Sequence, residues 1–132
     1  MHATLFTDGG ARDNPGPAGI GYVLTPDSGA QILHGEYIGE TTNNQAEYKA
    51  LIAGLQRAHG AGVTNLECFL DSLLVVMQVK GKYKVKNEEL KPLVAEVKHI
   101  AKNFAAISFD HVRREKNAMA DKLVNEALDN AV

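Results

Sequence analysis

A long helical pattern separates two short apolar segments of the chain, and this arrangement limits the fold more than any other feature. Residues 3–7 and 65–70 are predicted to be strands, whereas residues 46–59 carry apolar side chains at helical spacing and end near Gly60 and Gly62. A strand that follows a helical crossover rejoins its sheet in the parallel direction. We therefore expect the strand at 65–70 to run parallel to the strand at 3–7.

Three strands precede this helix, and segments rich in turn-forming residues join them. Residues 11–19 are dense in Pro, Gly and Asn and are predicted to form a loop or a wide hairpin. Residues 20–25 and 31–38 are predicted to be strands, with a turn at 26–29 between them. Strands that follow one another through short turns form an antiparallel meander.

The second half of the chain adds one strand and three helices. The strand is expected at residues 107–112, and the helices at 72–79, 87–103 and 117–130, with a polar loop at 80–86. The order β-β-β-α-β-α-α-β-α predicts an α/β fold with a mixed five-stranded sheet flanked by helices. In this sheet strands 1–3 form the antiparallel meander, and strands 4 and 5 run parallel to strand 1.

Composition narrows the functional classes. A length of 132 residues, with 45% hydrophobic and 23% charged residues, fits one soluble globular domain over residues 1–132. No window is long enough to cross a membrane, and the N-terminus lacks a signal-peptide pattern. The single Cys68 excludes a disulfide framework and favours the cytoplasm. A net charge of −2 gives no general attraction to nucleic acid, so such binding requires local basic clusters.

Two acidic residues directly follow predicted parallel strands. Asp8 follows the strand at 3–7, and Asp71 follows the strand at 65–70. The carboxyl ends of parallel strands meet at one edge of a sheet, where sites in open α/β sheets usually lie. Taken separately, Asp8 is also typical of a turn and Asp71 of a helix cap. Their shared position predicts a common site.

Two further acids lie on the apolar faces of predicted helices. Glu47 shares its face with Leu51 and Leu55, so its carboxylate is expected to point towards the sheet. Asp121 precedes Val124 at the same helical phase, although it could also interact with the N-terminal end of its helix. A buried carboxylate without a partner is costly, and several carboxylates converging on one point repel one another. The four acids therefore predict a site for a divalent cation such as Mg²⁺ or Mn²⁺.

Five motifs of the chain resemble the type 1 ribonuclease H family, in family order and over essentially the whole length. They are Thr7–Gly10, Asn14–Gly19, Thr42–Glu47, Asp71–Ser72 and Arg114–Leu123. The motifs Thr42–Glu47 and Arg114–Leu123, at this separation, are specific for the family. The pair Asp71–Ser72 alone carries little information. The resemblance implies a ribonuclease H-like fold and an endonuclease that cuts the RNA strand of RNA–DNA hybrids, removing RNA primers and R-loops.

The resemblance also implies the roles of individual residues. Two Mg²⁺ ions, with Mn²⁺ as a substitute, would be held by Asp8, Glu47, Asp71 and Asp121, with Asp8 between the two ions. The ribose 2′-hydroxyls of the RNA strand would be contacted by Asn14, Asn43 and Asn44 and by the backbone amides of the segment that includes Gly9, Gly10 and Arg12. Thr42 would hold a phosphate of the DNA strand. The asparagines are equally typical of turns and helix caps, and one role does not exclude the other.

The chain departs from the family pattern at three places. The loop before the last acid, Asp121, is short. The alternation of apolar residues places His111 on the core side of the fifth strand, so we do not expect it to carry protons. Arg114 is expected near the site in its place. Leu73 replaces a polar residue that many members carry. No long basic segment separates two helices. In its place lysines alternate along residues 80–86, and we expect Lys82, Lys84 and Lys86 to contact phosphates.

Two other functions are compatible with this fold. One is a nuclease of the same fold that acts on DNA, which the asparagine-containing motif argues against, because those side chains suit recognition of 2′-hydroxyls. The other is a catalytically weak module that binds hybrids, which the presence of all four acids argues against. The leading prediction is a monomeric ribonuclease H whose partner is an RNA–DNA hybrid and which has no membrane association.

Overall fold

The computed structural model describes residues 1–131, and its strands form one mixed sheet. The strands are His2–Ala11 (β1), Gly16–Pro26 (β2), Ile32–Thr41 (β3), Asn65–Leu70 (β4) and Ala106–His111 (β5). Their spatial order is β3-β2-β1-β4-β5. The pairs β1–β2 and β2–β3 are antiparallel, and the pairs β1–β4 and β4–β5 are parallel. The predicted fold class is therefore confirmed.

Helices cover both faces of this sheet. They are Asn43–Gly60 (α1), Leu73–Val79 (α2), Lys91–Ala101 (α3) and Ala118–Asn130 (α4), and a 3₁₀ turn spans Arg114–Lys116. α1 packs on the face that carries Leu5, because a Cβ at Gly54 would lie 2.9 Å from the Leu5 side chain. α4 packs on the opposite face, against β1, β2 and β3. None of the helices within residues 1–131 is long and apolar enough to cross a membrane.

Of the two structures predicted for residues 11–19, a loop or a wide hairpin, the hairpin is present, but its unpaired connection is shorter than predicted. β1 continues to Ala11 and β2 already begins at Gly16, so only residues 12–15 connect them. The ladder reaches the pair Ala11–Ala18, and the amide of Arg12 donates to the carbonyl oxygen of Pro17 at 2.9 Å. Small residues in this segment tolerate extended backbone, so the long hairpin carries paired strands close to its tip.

The predicted start of α3 at residue 87 is also wrong. Pro92 occupies the first turn of the helix, which begins at Lys91. Proline has no amide hydrogen and cannot continue a helix from the preceding turn, but its missing donor costs nothing in the first turn. Asn87 instead accepts a hydrogen bond from the amide of Glu89 at 2.8 Å, as in a local turn.

His111 lies in β5 as predicted, but its predicted place in the core is wrong. It is the last residue of the strand and is exposed. Ile107 and Phe109 share its side of the strand and pack against the core. Because β5 is an edge strand that ends at His111, the covering helices no longer bury the side chain at this position.

Candidate active site

The close approach of α1 to β1 places Glu47 at the acidic end of the sheet. A Cβ at Gly9 would collide with the carbonyl group of Ala46, so only glycine lets α1 come this near. The amide of Gly9 donates to Oε1 of Glu47 at 2.6 Å. The Thr42 side chain accepts from the amide of Gln45 at 3.2 Å and fixes the first turn of the helix. Glu47 is thereby oriented towards β1, as its helical phase predicts.

Three of the four predicted acids form a compact cluster. Each of Asp8, Glu47 and Asp71 offers a carboxylate oxygen, and these oxygens all lie within 4.8 Å of one another. The parallel pair Thr7–Leu70 brings Asp8 and Asp71 to the same level of the sheet. Asp8 is 9% exposed and Glu47 is 6% exposed. Two of the three acids are therefore largely withdrawn from water, and Asp71 is partly exposed.

Burial and mutual repulsion raise the pKa of two of these acids. The pKa of Asp8 lies well above its ordinary value, chiefly because the side chain is buried and also because Glu47 and Asp71 are close. Burial likewise raises the pKa of Glu47, although the Gly9 amide and the positive charge of Arg114 act against this. Carboxylate oxygens are hard ligands, so the residues present fit a divalent cation.

Asp121 lines the same concave surface without joining the cluster. This surface, about 190 Å³ in volume, is lined by all four acids and by Arg114. The three-acid cluster does not include the Asp121 carboxylate, whose Oδ2 accepts from the Asn125 side chain at 3.3 Å. The position of Asp121 depends on how α4 lies against the sheet.

Two glycines that the sequence analysis did not single out bring α4 close to the sheet. A Cβ at Gly21 would lie 2.6 Å from the carbonyl oxygen of Ala120, and a Cβ at Gly35 would lie 2.7 Å from that of Leu123. Isolated glycines inside strands indicate such approaches, so the signal was present in the sequence. These glycines help to determine where Asp121 lies.

The predicted substrate-contacting asparagines lie beside the site and are exposed. Oδ1 of Asn14 accepts from the amide of Asn43 at 3.0 Å, and Oδ1 of Asn43 accepts from the amide of Ala11 at 3.1 Å. These bonds join the β1–β2 connection to the start of α1. Asn44 is exposed in the first turn of the same helix. The turn and capping role is therefore real for Asn14 and Asn43, whose remaining polar atoms face outwards.

The backbone amides of Gly9 and Arg12 already donate hydrogen bonds within the protein. The prediction that these two amides bind ribose hydroxyls is therefore corrected. Gly9 donates to Glu47, and Arg12 donates to Pro17. The Arg12 side chain lies 2.7 Å from Asp129, at the far end of α4. Gly10 and Arg12 nevertheless line the concave surface. A substrate contact by Arg12 would compete with its ion pair.

The lysine segment lies outside the concave surface. Residues 80–86 connect α2 to the region before α3 and are exposed except for Val85, which is partly buried. Lys82, Lys84 and Lys86 do not line the surface that carries the acids. Glu89, three residues beyond this segment, accepts from the Gln45 side chain at 2.7 Å. This bond links the stretch that follows the lysines to the first turn of α1, which carries Asn43 and Asn44.

Comparisons with known proteins agree with this geometry. A family model described as reverse transcriptase-like matches residues 6–127. The chain is 41% identical to ribonuclease HI of Halobacterium salinarum, over 99% of this chain and 65% of that protein. It is 42% identical to a bifunctional protein of Mycobacterium tuberculosis, over 99% of this chain but only 36% of that protein. The chain therefore spans about a third of the mycobacterial relative.

The fold comparison includes a nucleic-acid complex. The crystal structure of LC11-RNase H1 in complex with an RNA/DNA hybrid matches with a TM-score of 0.91 and 47% sequence identity. The match covers 98% of this chain and 98% of that one. The similarity thus extends over the whole of both chains and includes the elements that carry the acids.

Proposed function

The chain belongs to the type 1 ribonuclease H family, and on this premise we propose that it hydrolyses the RNA strand of RNA–DNA hybrids. The observation that carries the proposal is the cluster of Asp8, Glu47 and Asp71, two of them buried, at the point where the parallel pairing of β1 with β4 ends. The similar structure that holds an RNA/DNA hybrid supports the substrate class. A single domain over residues 1–132 would suffice for this activity.

Each acid has a distinct part in the proposed metal site. Asp8, Glu47 and Asp71 would hold divalent cations, with Asp121 completing the set together with Asp8. We propose Mg²⁺ as the metal and Mn²⁺ as its substitute, because both prefer carboxylate oxygens. The chemistry that two such ions would supply when bound is activation of a water and stabilisation of the leaving oxygen in an in-line displacement at phosphorus. The Gly9 amide keeps Glu47 directed at β1, so the ligands are preorganised.

The surroundings of the acids suit a hybrid duplex. Arg114 places a positive charge on the concave surface, where it favours the approach of a phosphodiester. Asn14, Asn43 and Asn44 lie exposed beside this surface and would contact 2′-hydroxyls in the shallow minor groove. Thr42 and the lysine segment would contact phosphates. Such contacts position the duplex on the protein and do not depend on its sequence.

Removal of RNA primers and R-loops would be the cellular consequence of this activity. We propose that the protein acts as a monomer in the cytoplasm, where the thiol of the buried Cys68 stays reduced. The protein would recognise the shape and sugars of the hybrid and not a particular sequence, since the proposed contacts go to sugars and phosphates.

The direct test compares three labelled duplexes of one sequence: RNA–DNA hybrid, double-stranded RNA and double-stranded DNA. We expect cleavage of the RNA strand of the hybrid alone, with Mg²⁺ or Mn²⁺ and not with a chelator. Asp110→Asn, which removes an exposed carboxylate in β5 outside the site, serves as a control and should cleave normally. Cleavage of double-stranded DNA would favour a DNA nuclease. Hybrid binding without cleavage would favour a binding module.

A further inference from the structure

Asn117 connects the backbones that carry two of the acids. Its side chain is 1% exposed, and its Nδ2 donates to the carbonyl oxygen of Thr7 at 2.8 Å. That carbonyl belongs to the peptide bond that leads into Asp8. The carbonyl oxygen of Asn117 accepts from the amide of Asp121 at 3.1 Å. One residue is therefore hydrogen-bonded to the main chain beside Asp8 and to the main chain of Asp121.

The Asn117 side chain is not needed to begin α4. Although Asn117 occupies the cap position, its side chain makes no capping hydrogen bond. Its Oδ1 has no hydrogen-bond partner among residues 1–131, and neither has the hydroxyl of Thr7. Leaving buried polar atoms unpaired is costly, so an apolar side chain of similar size would suit a purely structural position at least as well. The amide is explained better by the bond that it makes to β1.

That bond gives the start of α4 a direction that its apolar contacts lack. The exposed Arg12 side chain contacts Asp129 near the far end of α4, and elsewhere the helix meets the sheet through apolar side chains such as Val124 and through the close approaches at Gly21 and Gly35. Apolar packing is non-directional and tolerates small shifts along a helix axis. The buried hydrogen bond between Asn117 and Thr7 joins residues 110 positions apart and fixes the start of α4 against the end of β1. Asp121 lies one helical turn beyond this point.

We propose that Asn117 is a positioning residue that fixes Asp121 relative to Asp8, so that both carboxylates can serve the same metal site. The proposal rests on the proposed function, because it assigns the two acids to one cation-binding surface. Asn117 touches neither metal nor substrate in this role. It acts through the backbone, as groups that orient metal ligands do.

Calorimetric titration of the nucleic-acid-free protein with Mn²⁺ tests the proposal without using activity. Asn117→Ala should weaken Mn²⁺ binding by about tenfold, the lower range for removal of a group that supports a ligand. Asn117→Leu keeps the number and the branching of the side-chain heavy atoms and removes the unpaired oxygen. It should bind Mn²⁺ as weakly as Asn117→Ala while melting at a higher temperature than that variant. In hybrid cleavage both variants should lower kcat and leave KM unchanged.

Tyr48→Phe is the matched control. It removes another buried hydrogen bond, from the Tyr48 hydroxyl to Oε1 of Gln78 at 2.6 Å, between α1 and α2. It should lower the melting temperature and leave Mn²⁺ binding unchanged. Normal Mn²⁺ binding by either folded Asn117 variant, or equal weakening in Tyr48→Phe, would overturn the positioning role, and so would failure of both Asn117 variants to fold. If the wild type binds Mn²⁺ but cuts no hybrid, only the proposed function fails.

Discussion

The two ends of β1, taken over the stretch that pairs with β4, place a titratable side chain among carboxylates in opposite ways. At the start of the strand, His2 lies between two acids, with Nδ1 3.0 Å from Asp27 and Nε2 2.6 Å from Glu67. At the far end, Asp8 lies among Glu47 and Asp71, with ligand oxygens within 4.8 Å. Hydrogen bonds to Asp27 and Glu67 raise the pKa of His2, whereas burial and repulsion raise the pKa of Asp8.

The difference shows which end is built for stability and which for binding. At the first end the cation is His2 itself, which pairs with the charges of Asp27 and Glu67. This end is exposed, so solvent screens these charges. At the second end Asp8 and Glu47 are buried, whereas the basic side chains that line the surface, Arg12 and Arg114, belong to exposed residues. Arg12 is already paired with Asp129, and Arg114 lies in the turn before α4. Buried carboxylates without a counter-ion destabilise the folded state. A bound divalent cation would remove that penalty and couple metal binding to stability.

The largest effect on the difference between the two ends is expected from removal of the Asp8 carboxylate. Asp8→Asn should lower hybrid cleavage by more than about 100-fold, since even groups that only support a metal ligand contribute 10–100-fold. The variant should also melt at a higher temperature than the wild type in the absence of metal, because one repelling carboxylate is gone. Single-turnover cleavage and thermal melting with and without Mg²⁺ measure both effects. A folded variant that cleaves at near wild-type rate would remove the basis of the metal assignment.

Substrate binding can be separated from both ends of β1. Changing Lys82, Lys84 and Lys86 together to Ala should raise KM for the hybrid about tenfold and leave kcat nearly unchanged, because these lysines lie away from the acids. Each lost phosphate contact should reduce the log–log salt slope by about 0.9 or less. Initial rates at several salt concentrations provide the measurement. An unchanged KM and salt slope would mean that the lysines form only a solvated loop.

The pH dependence of metal-free stability should sharpen the contrast. Asp8 and Glu47 have raised pKa values in the folded state, so between their ordinary values and the raised ones the folded protein binds more protons than the unfolded chain. Stability is then highest in mild acid and falls as the pH rises towards neutrality. We expect melting in EDTA to decrease by about 5 °C from pH 5 to pH 8.

Two comparisons check the origin of this decrease. Asp8→Asn should show a smaller decrease over the same pH range, and added Mg²⁺ should protect the wild type mainly at the upper end, where protons no longer neutralise the acids. An equal pH slope for Asp8→Asn and wild type in EDTA would assign the decrease to other groups.

The smallest effect is expected at the start of β1, where His2 lies between Asp27 and Glu67. His2→Gln removes a cation whose pKa is raised by its two acidic neighbours, so its contribution is present at acidic pH and is lost as the pH rises through the raised value. The melting temperature should fall by less than about 3 °C at pH 5 and remain unchanged at pH 9, as for other exposed ion pairs. Hybrid cleavage should stay at the wild-type level. A loss of cleavage would show that the two ends are coupled.

Several features of the site could be predicted because they depend on local periodicity or on topology. The helical phase of Glu47 predicts its inward direction, and its 6% exposure agrees. The crossover rule predicts parallel β1 and β4, and parallel strands necessarily bring Asp8 and Asp71 to one edge. Hydrophobic patterns carry this information because each element must bury one face. Family motifs added the expected partners and roles.

Other features were decided only when the chain packed. The extent of the β1–β2 hairpin, the exposure of His111 and the internal use of the Gly9 and Arg12 amides all differ from the sequence-based expectations. Each depends on which neighbour occupies the adjacent space, and local composition does not specify that neighbour.

The sequence by itself determined the sheet, its strand directions and the edge where three acids meet. The tertiary structure decided how close α4 lies to the sheet. Gly21 and Gly35 allow the helix to approach the strands, and Asn117 binds a carbonyl oxygen 110 positions away. No periodicity encodes a contact of that kind. It arises from the shape of two packed surfaces and from the requirement that buried polar groups find partners.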